Sequence, residues 1–122
     1  MSSAIWSYDS DKNFPGYHFS GNPGEFAELV SKLGLYSKAS MHLVSPSDEM
    51  LSMANSRSKL LRSFVSLKLS KSQMTRVESS SGVLSIALST DDLRALARAI
   101  KSYQDGVNDF SIKLNGDSLW FW

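Results

Sequence analysis

The chain has 122 residues, 42% hydrophobic and 20% charged, with no cysteine and a formal charge of +1. That length fits one domain with its own core. The composition excludes disulfides and thiolate chemistry, and the charge balance gives no case for a nucleic-acid binder. No apolar run approaches the roughly 20 residues of a membrane helix, and Met1–Asp9 lacks the pattern of a signal peptide, so a cytoplasmic protein is expected.

Ser2–Asp11 reads as a loose end, and Tyr17-His18-Phe19 as a short strand. A helix is predicted from Pro23 to Leu33. Asn22 suits the N-cap, Pro23 the first helical position, and Glu25 the third position after the cap. Phe26, Leu29, Val30 and Leu33 make one apolar stripe, and Gly34 sits where a left-handed C-cap is wanted. Met41–Val44 reads as the next strand. Ser47-Asp48-Glu49 then opens a short helix or turn carrying Met50, Leu51, Met53 and Ala54.

Phe64–Ser70 alternates, with Val65, Leu67 and Leu69 against Ser66, Lys68 and Ser70. Gln73–Glu78 is a further strand that pairs with it or with Val83–Leu88, and Ser79–Gly82 is a turn. A second helix is predicted over Asp91–Tyr103, capped by Ser89 or Thr90, with Leu93, Leu96, Ala97 and Ile100 inward. Phe110–Leu114 alternates again, and Asn115-Gly116 is a hairpin signal joining it to Ser118–Trp122.

Tyr17–Val44 can be laid over Leu84–Ser111 without a gap, placing Phe26 on Leu93 and Leu29 on Leu96. This is either a duplicated strand–helix–strand unit or two amphipathic units that slide into register. The expected fold is α+β: a single, mainly antiparallel sheet of about five or six strands with two helices on one face.

Catalytic motifs are missing. No serine stands in a nucleophile elbow, and the pairs Asp48-Glu49 and Asp91-Asp92 each open a helix, where the dipole accounts for them. His18 and His42 lie in predicted strands that could be neighbours. Two histidines make a poor metal site; a carboxylate such as Asp9 or Asp11 could supply a third ligand, but nothing in the sequence places it there. The reading is therefore no enzyme, no cofactor and no metal.

Two binding features remain. Gly21-Asn22-Pro23-Gly24 leads into a helix N-terminus, where free amides could take an anion or small ligand; an ordinary capped turn is the other reading. Leu119-Trp120-Phe121-Trp122 is apolar on both faces of a strand. One face can cover the helices. The other needs Trp6 and Tyr8, a second copy of the chain, or another protein. Trp120, Trp122, Trp6 and Phe121 are thus the candidate protein-binding residues, and a homodimer or a docked protein is the expected partner, with no nucleic acid and no membrane.

The run Thr90-Asp91-Asp92-Leu93-Arg94-Ala95-Leu96-Ala97, then Asp105-Gly106, then Phe110–Leu114, resembles part of the small immunity proteins of bacterial polymorphic toxin systems. The resemblance implies a protein that caps a partner by steric occlusion. It departs at Asp109-Phe110-Ser111, where some such families have a histidine-rich strand. Pro23-Gly24-Glu25-Phe26-Ala27-Glu28-Leu29, with Leu33, is similar to the first loop and helix of ACT-type regulatory domains. That likeness implies an amino-acid effector site lined by Gly21, Asn22 and Gly24.

Overall fold

The computed structural model describes residues 3–8, 16–53 and 61–122. The described elements run β1 (Ala4–Tyr8), β2 (Tyr17–Ser20), α1 (Pro23–Leu35), β3 (Lys38–His42), α2 (Asp48–Met53), β4 (Leu61–Ser63), β5 (Ser66–Lys71), β6 (Arg76–Ser80), β7 (Val83–Leu88), α3 (Thr90–Gln104), β8 (Phe110–Leu114) and β9 (Asp117–Phe121). No described helix is long and apolar enough to cross a membrane. Ala54 lies outside the described residues.

The fold is α+β, but the single antiparallel sheet is corrected to two mixed sheets. One is ordered β4-β1-β2-β9-β8 and the other β3-β5-β7-β6. The β2–β9 and β5–β7 pairs are parallel. The cause is the path of the helices. α1 leaves β2 in the first sheet and delivers the chain to β3 in the second, and α3 carries β7 of the second sheet back to β8 of the first. Both sheets then present their apolar faces to the same helix pair, and one core unites them.

The two sheets share one hydrogen-bonding plan. In each, a hairpin strand (β1 or β6) pairs antiparallel with the strand that enters a helix (β2 or β7). That strand pairs parallel with the last strand of the other half (β9 or β5), which pairs antiparallel with the strand leaving the other helix (β8 or β3). The core-facing row Ile5–Phe19–Phe121–Phe110 thus matches Val77–Ile86–Leu69–Ala39. Tyr17 stands where Leu84 stands, and the helix caps Asn22 and Ser89 correspond, as the sequence overlay requires. The overlay slips at the exit strands: Ala39 matches Phe110, because Asp105–Asp109 makes a longer turn after α3 than Tyr36-Ser37 makes after α1.

Most of the expected core is buried: Phe19, Phe26, Leu29, Leu33, Leu43, Leu84, Ile86, Leu88, Leu96, Ile100 and Leu114. Val30, Leu93 and Ile112 are partly buried against it. Ala97 is corrected to the surface, and Ala99 is buried instead, so the α3 stripe runs Leu96, Ala99, Ile100 and Tyr103. Gly34 is helical rather than a cap. α1 runs one residue beyond it and ends at Tyr36, whose N–H donates to the Lys32 carbonyl at 2.8 Å.

β1 replaces part of the expected loose end. Its residues serve two environments, which hides the strand's alternation: Ile5 enters the main core, while Ala4 and Trp6 join a second apolar cluster with Trp122 on the other side of the sheet. Both turns read from sequence are present. Ser81 and Gly82 join β6 to β7 at φ 52° and 79°, and Asn115 and Gly116 join β8 to β9 at 50° and 90°. Both central residues at positive φ is the geometry that fits the twist of a two-residue hairpin.

Candidate binding face

The outer faces of the two sheets are built on matching frameworks but filled differently. Across the five-stranded sheet, Trp6, His18 and Trp120 stand side by side on neighbouring strands. Their rings lie nearly parallel: Trp6 and His18 are 5.7 Å apart at 13°, His18 and Trp120 6.4 Å apart at 14°. Trp122 joins them, its centroid 5.8 Å from that of Trp120. Met50 and Leu51 of α2 pack onto this cluster, so the aromatic face is covered from within the chain.

The corresponding row of the four-stranded sheet is Glu78, Ser85, Lys68 and Ser40. A second row beside it is Arg76, Ala87, Ser70 and Lys38, and a third is Ser80, Val83, Ser66 and His42. The side-chain period of two puts these residues outward, while Leu67, Leu69, Leu84, Ile86 and Leu88 of the same strands go to the core. No described helix packs on this outer face. Ser70, Ser85 and Ala87 on its central strands are small, and the surface dips into two hollows of about 410 and 310 Å³ that share Ser70 and Ser85.

Lys38 and Lys68 line one hollow, and Lys71 and Arg76 the other. Among the lining acids there is only Glu78, which lies 3.8 Å from Arg76 in an exposed pair. Lys38, Lys68 and Lys71 have no ion pair among the described residues. A chain that is nearly neutral overall therefore gathers positive charge on a sheet face on which no described helix packs.

The expected site residues fall elsewhere. Trp6 and Phe121 have no exposed surface and Trp122 is 6% exposed, while Trp120 is half-buried. Phe121 lies in the main core against Phe19, Phe26, Tyr103 and Phe110. β9 is not an edge strand: it lies between β2 and β8 and pairs with both, so Ser118–Phe121 offers no free strand edge to a second chain.

At the loop before α1, the structure shows a capped turn. The Asn22 Oδ1 accepts from the N–H of Gly24 at 2.8 Å and of Glu25 at 3.3 Å. The Asn22 N–H donates to Ser3 Oγ at 3.1 Å, and Ser3 Oγ donates to Glu25 Oε1 at 2.8 Å. The Gly21 N–H reaches the Tyr103 hydroxyl at 3.4 Å. With Pro23 lacking an N–H, each amide an anion would use already has a partner. The two histidines are not neighbours: His18 is buried in the five-stranded sheet, and His42 is exposed on the edge of the other. Asp9 and Asp11 lie outside the described residues. No three metal-binding side chains converge among the described residues.

The residues of the bare face were visible in the sequence only as the polar half of alternating strands. Ser66, Lys68 and Ser70 read as a wet face, and nothing local placed Lys38, Arg76 or Ser85 beside them. No family model matches the chain, and comparison with curated proteins and with solved structures gives no match.

Proposed function

We propose that the chain is a non-enzymatic protein-binding module, an immunity or inhibitor protein that works in the cytoplasm by steric occlusion. Its docking surface is the outer face of β3, β5, β7 and β6. One observation supports this reading: of two sheets with the same plan, one has its outer aromatic cluster packed by Met50 and Leu51 of α2, while no described helix packs on the outer face of the other. A broad, gently hollowed face, with serines and an alanine set among lysines and an arginine, can meet a partner over a wide area, which suits occlusion better than chemistry. The buried aromatics act as a scaffold that stiffens the opposite sheet. Because β9 has no free edge, the partner is a different protein rather than a second copy paired through that strand.

The test is site-specific photocrosslinking in native cells, with benzoylphenylalanine replacing Ser85 on the face or Ala97 on the exposed side of α3. The expected result is one protein captured from position 85 and not from 97, which forms an equimolar complex with the purified chain and loses its activity in it. Equal capture from both positions, or a complex whose partner stays fully active, would overturn the proposal.

A further inference from the structure

The charge on the docking face narrows the kind of partner. Lys38, Lys68, Lys71 and Arg76 surround the two hollows, with Glu78 the one lining acid. We infer that the partner presents a carboxylate-rich surface to this face, with its acidic side chains lying along the row Ser40, Lys68 and Ser85. This rests on the docking reading above and adds the chemistry of the occupant.

Three features select carboxylates. Lys38, Lys68 and Lys71 have no ion pair among the described residues, so an acidic partner gains attraction there without breaking one of those. Serine hydroxyls between them donate to carboxylate oxygens, and being short they let the partner's backbone come close. The three outward rows contain no Phe, Tyr or Trp, so the face offers no stacking platform for the bases of a single-stranded nucleic acid. Two copies of the face would bring like charges together, which disfavours a homodimer across it. Exposed charges of this kind govern on-rate and partner choice more than affinity, so the interaction should weaken as salt rises.

The probe is octaglutamate, titrated into the isotope-labelled full chain at about 0.01 M salt, where the screening length is roughly 30 Å. Octalysine and an eight-nucleotide oligothymidylate are the comparisons. Saturable amide shifts are expected at Ser40, Lys68, Ser70 and Ser85, and none there with octalysine. The double variant Lys38→Glu with Lys68→Glu should weaken binding by at least about tenfold. Lys38→Gln with Lys68→Gln should fall between, which separates charge from misfolding. Absence of saturable shifts, shifts centred on α1 or α3, or tighter binding of the oligothymidylate at the same face would each overturn the inference. If octaglutamate fails while crosslinking from position 85 succeeds, the docking face stands and the acidic partner falls. If crosslinking fails, the docking reading falls whatever the peptide does.

Discussion

The indole N–H of Trp122 donates to Nδ1 of His18 at 2.9 Å, a buried bond that ties the end of the chain to β2. An indole nitrogen only donates, so this bond requires a lone pair on Nδ1 and places the imidazole proton of the neutral ring on Nε2. The His18 ring is meanwhile flanked by Trp6 at 5.7 Å and Trp120 at 6.4 Å between ring centroids. A polar side chain with no exposed surface is thus held on an aromatic face by a directed donor and by flat neighbours.

Replacing Trp122 by Phe keeps a ring but removes the donor. Leaving a buried acceptor unpaired costs about 1–3 kcal/mol. Urea unfolding of Trp122→Phe should show that loss, and nitrogen NMR of the parent protein should show the Nε2–H tautomer of His18. A loss near zero would mean that the indole N–H is not what satisfies the imidazole.

The inward stripe of α3 can be separated from the one the sequence suggests. Leu96→Ala should cost about 2–5 kcal/mol, since Leu96 is fully buried. Ala99→Leu should cost about 1–3 kcal/mol by overpacking. Ala97→Lys, on the exposed side, should stay within about 0.5 kcal/mol of the parent. Denaturation midpoints of the three variants are sufficient. A large loss from Ala97→Lys would restore the sequence-based stripe.

These alanines show where sequence reading stops. Local signals were legible: the Asn22 and Ser89 caps, the Asn115-Gly116 hairpin, and the alternation of β5, β7 and β8 each depend on residues a few positions apart. Whether Ala97 or Ala99 faces inward depends on where α1 lies against α3, which no local pattern records. The sheet division was hidden for the same reason. Alternation tells which residues of β5 and β9 are inward, not that each pairs in parallel with a strand from the other half of the chain. The double-sided apolar character of Leu119–Trp122 was visible, and so was Trp6 as an internal partner. That His18 would stand between them was not, because a lone histidine in a strand has no local mark of burial. The bare face escaped because serines and lysines on a strand look the same whether they meet water or a protein.

Gly16 precedes β2 at φ 101°, and a Cβ there would run into the backbone of Ser118 in β9. Gly106 follows α3 at φ 97° with open space around its missing Cβ. Both substitutions by Ala carry the conformational penalty, about 1–2 kcal/mol. Only Gly16→Ala also forces two paired strands apart. Its loss should clearly exceed that of Gly106→Ala, by thermal or urea unfolding. Equal losses would mean that β2 and β9 adjust freely at this point.

Tyr17 gives a test in alkaline solution. Its phenol is shifted above its ordinary value of 10.0, first by burial and then by the negative charge of Asp117, with a hydrogen bond from Ser79 and the charge of Arg62 acting in the opposite direction. Ring packing on Phe64, with centroids 5.9 Å apart, keeps the phenol at the junction of the sheets. The sign follows from which form the fold prefers. The neutral phenol is favoured in the folded state, so the folded value exceeds the unfolded one. The stabilising contribution is therefore fully present below the unfolded value near 10. It is lost as the pH rises from there through the raised folded value. Ultraviolet titration should show one tyrosine ionising later than an exposed tyrosine, and urea stability should fall across the same interval. Asp117→Asn removes the second cause and should bring the ionisation back toward the ordinary value without restoring it completely, because burial remains. Tyr17→Phe should abolish the late phase and flatten that part of the stability profile. A late phase that survives Tyr17→Phe would belong to another residue and would remove Tyr17 from the account.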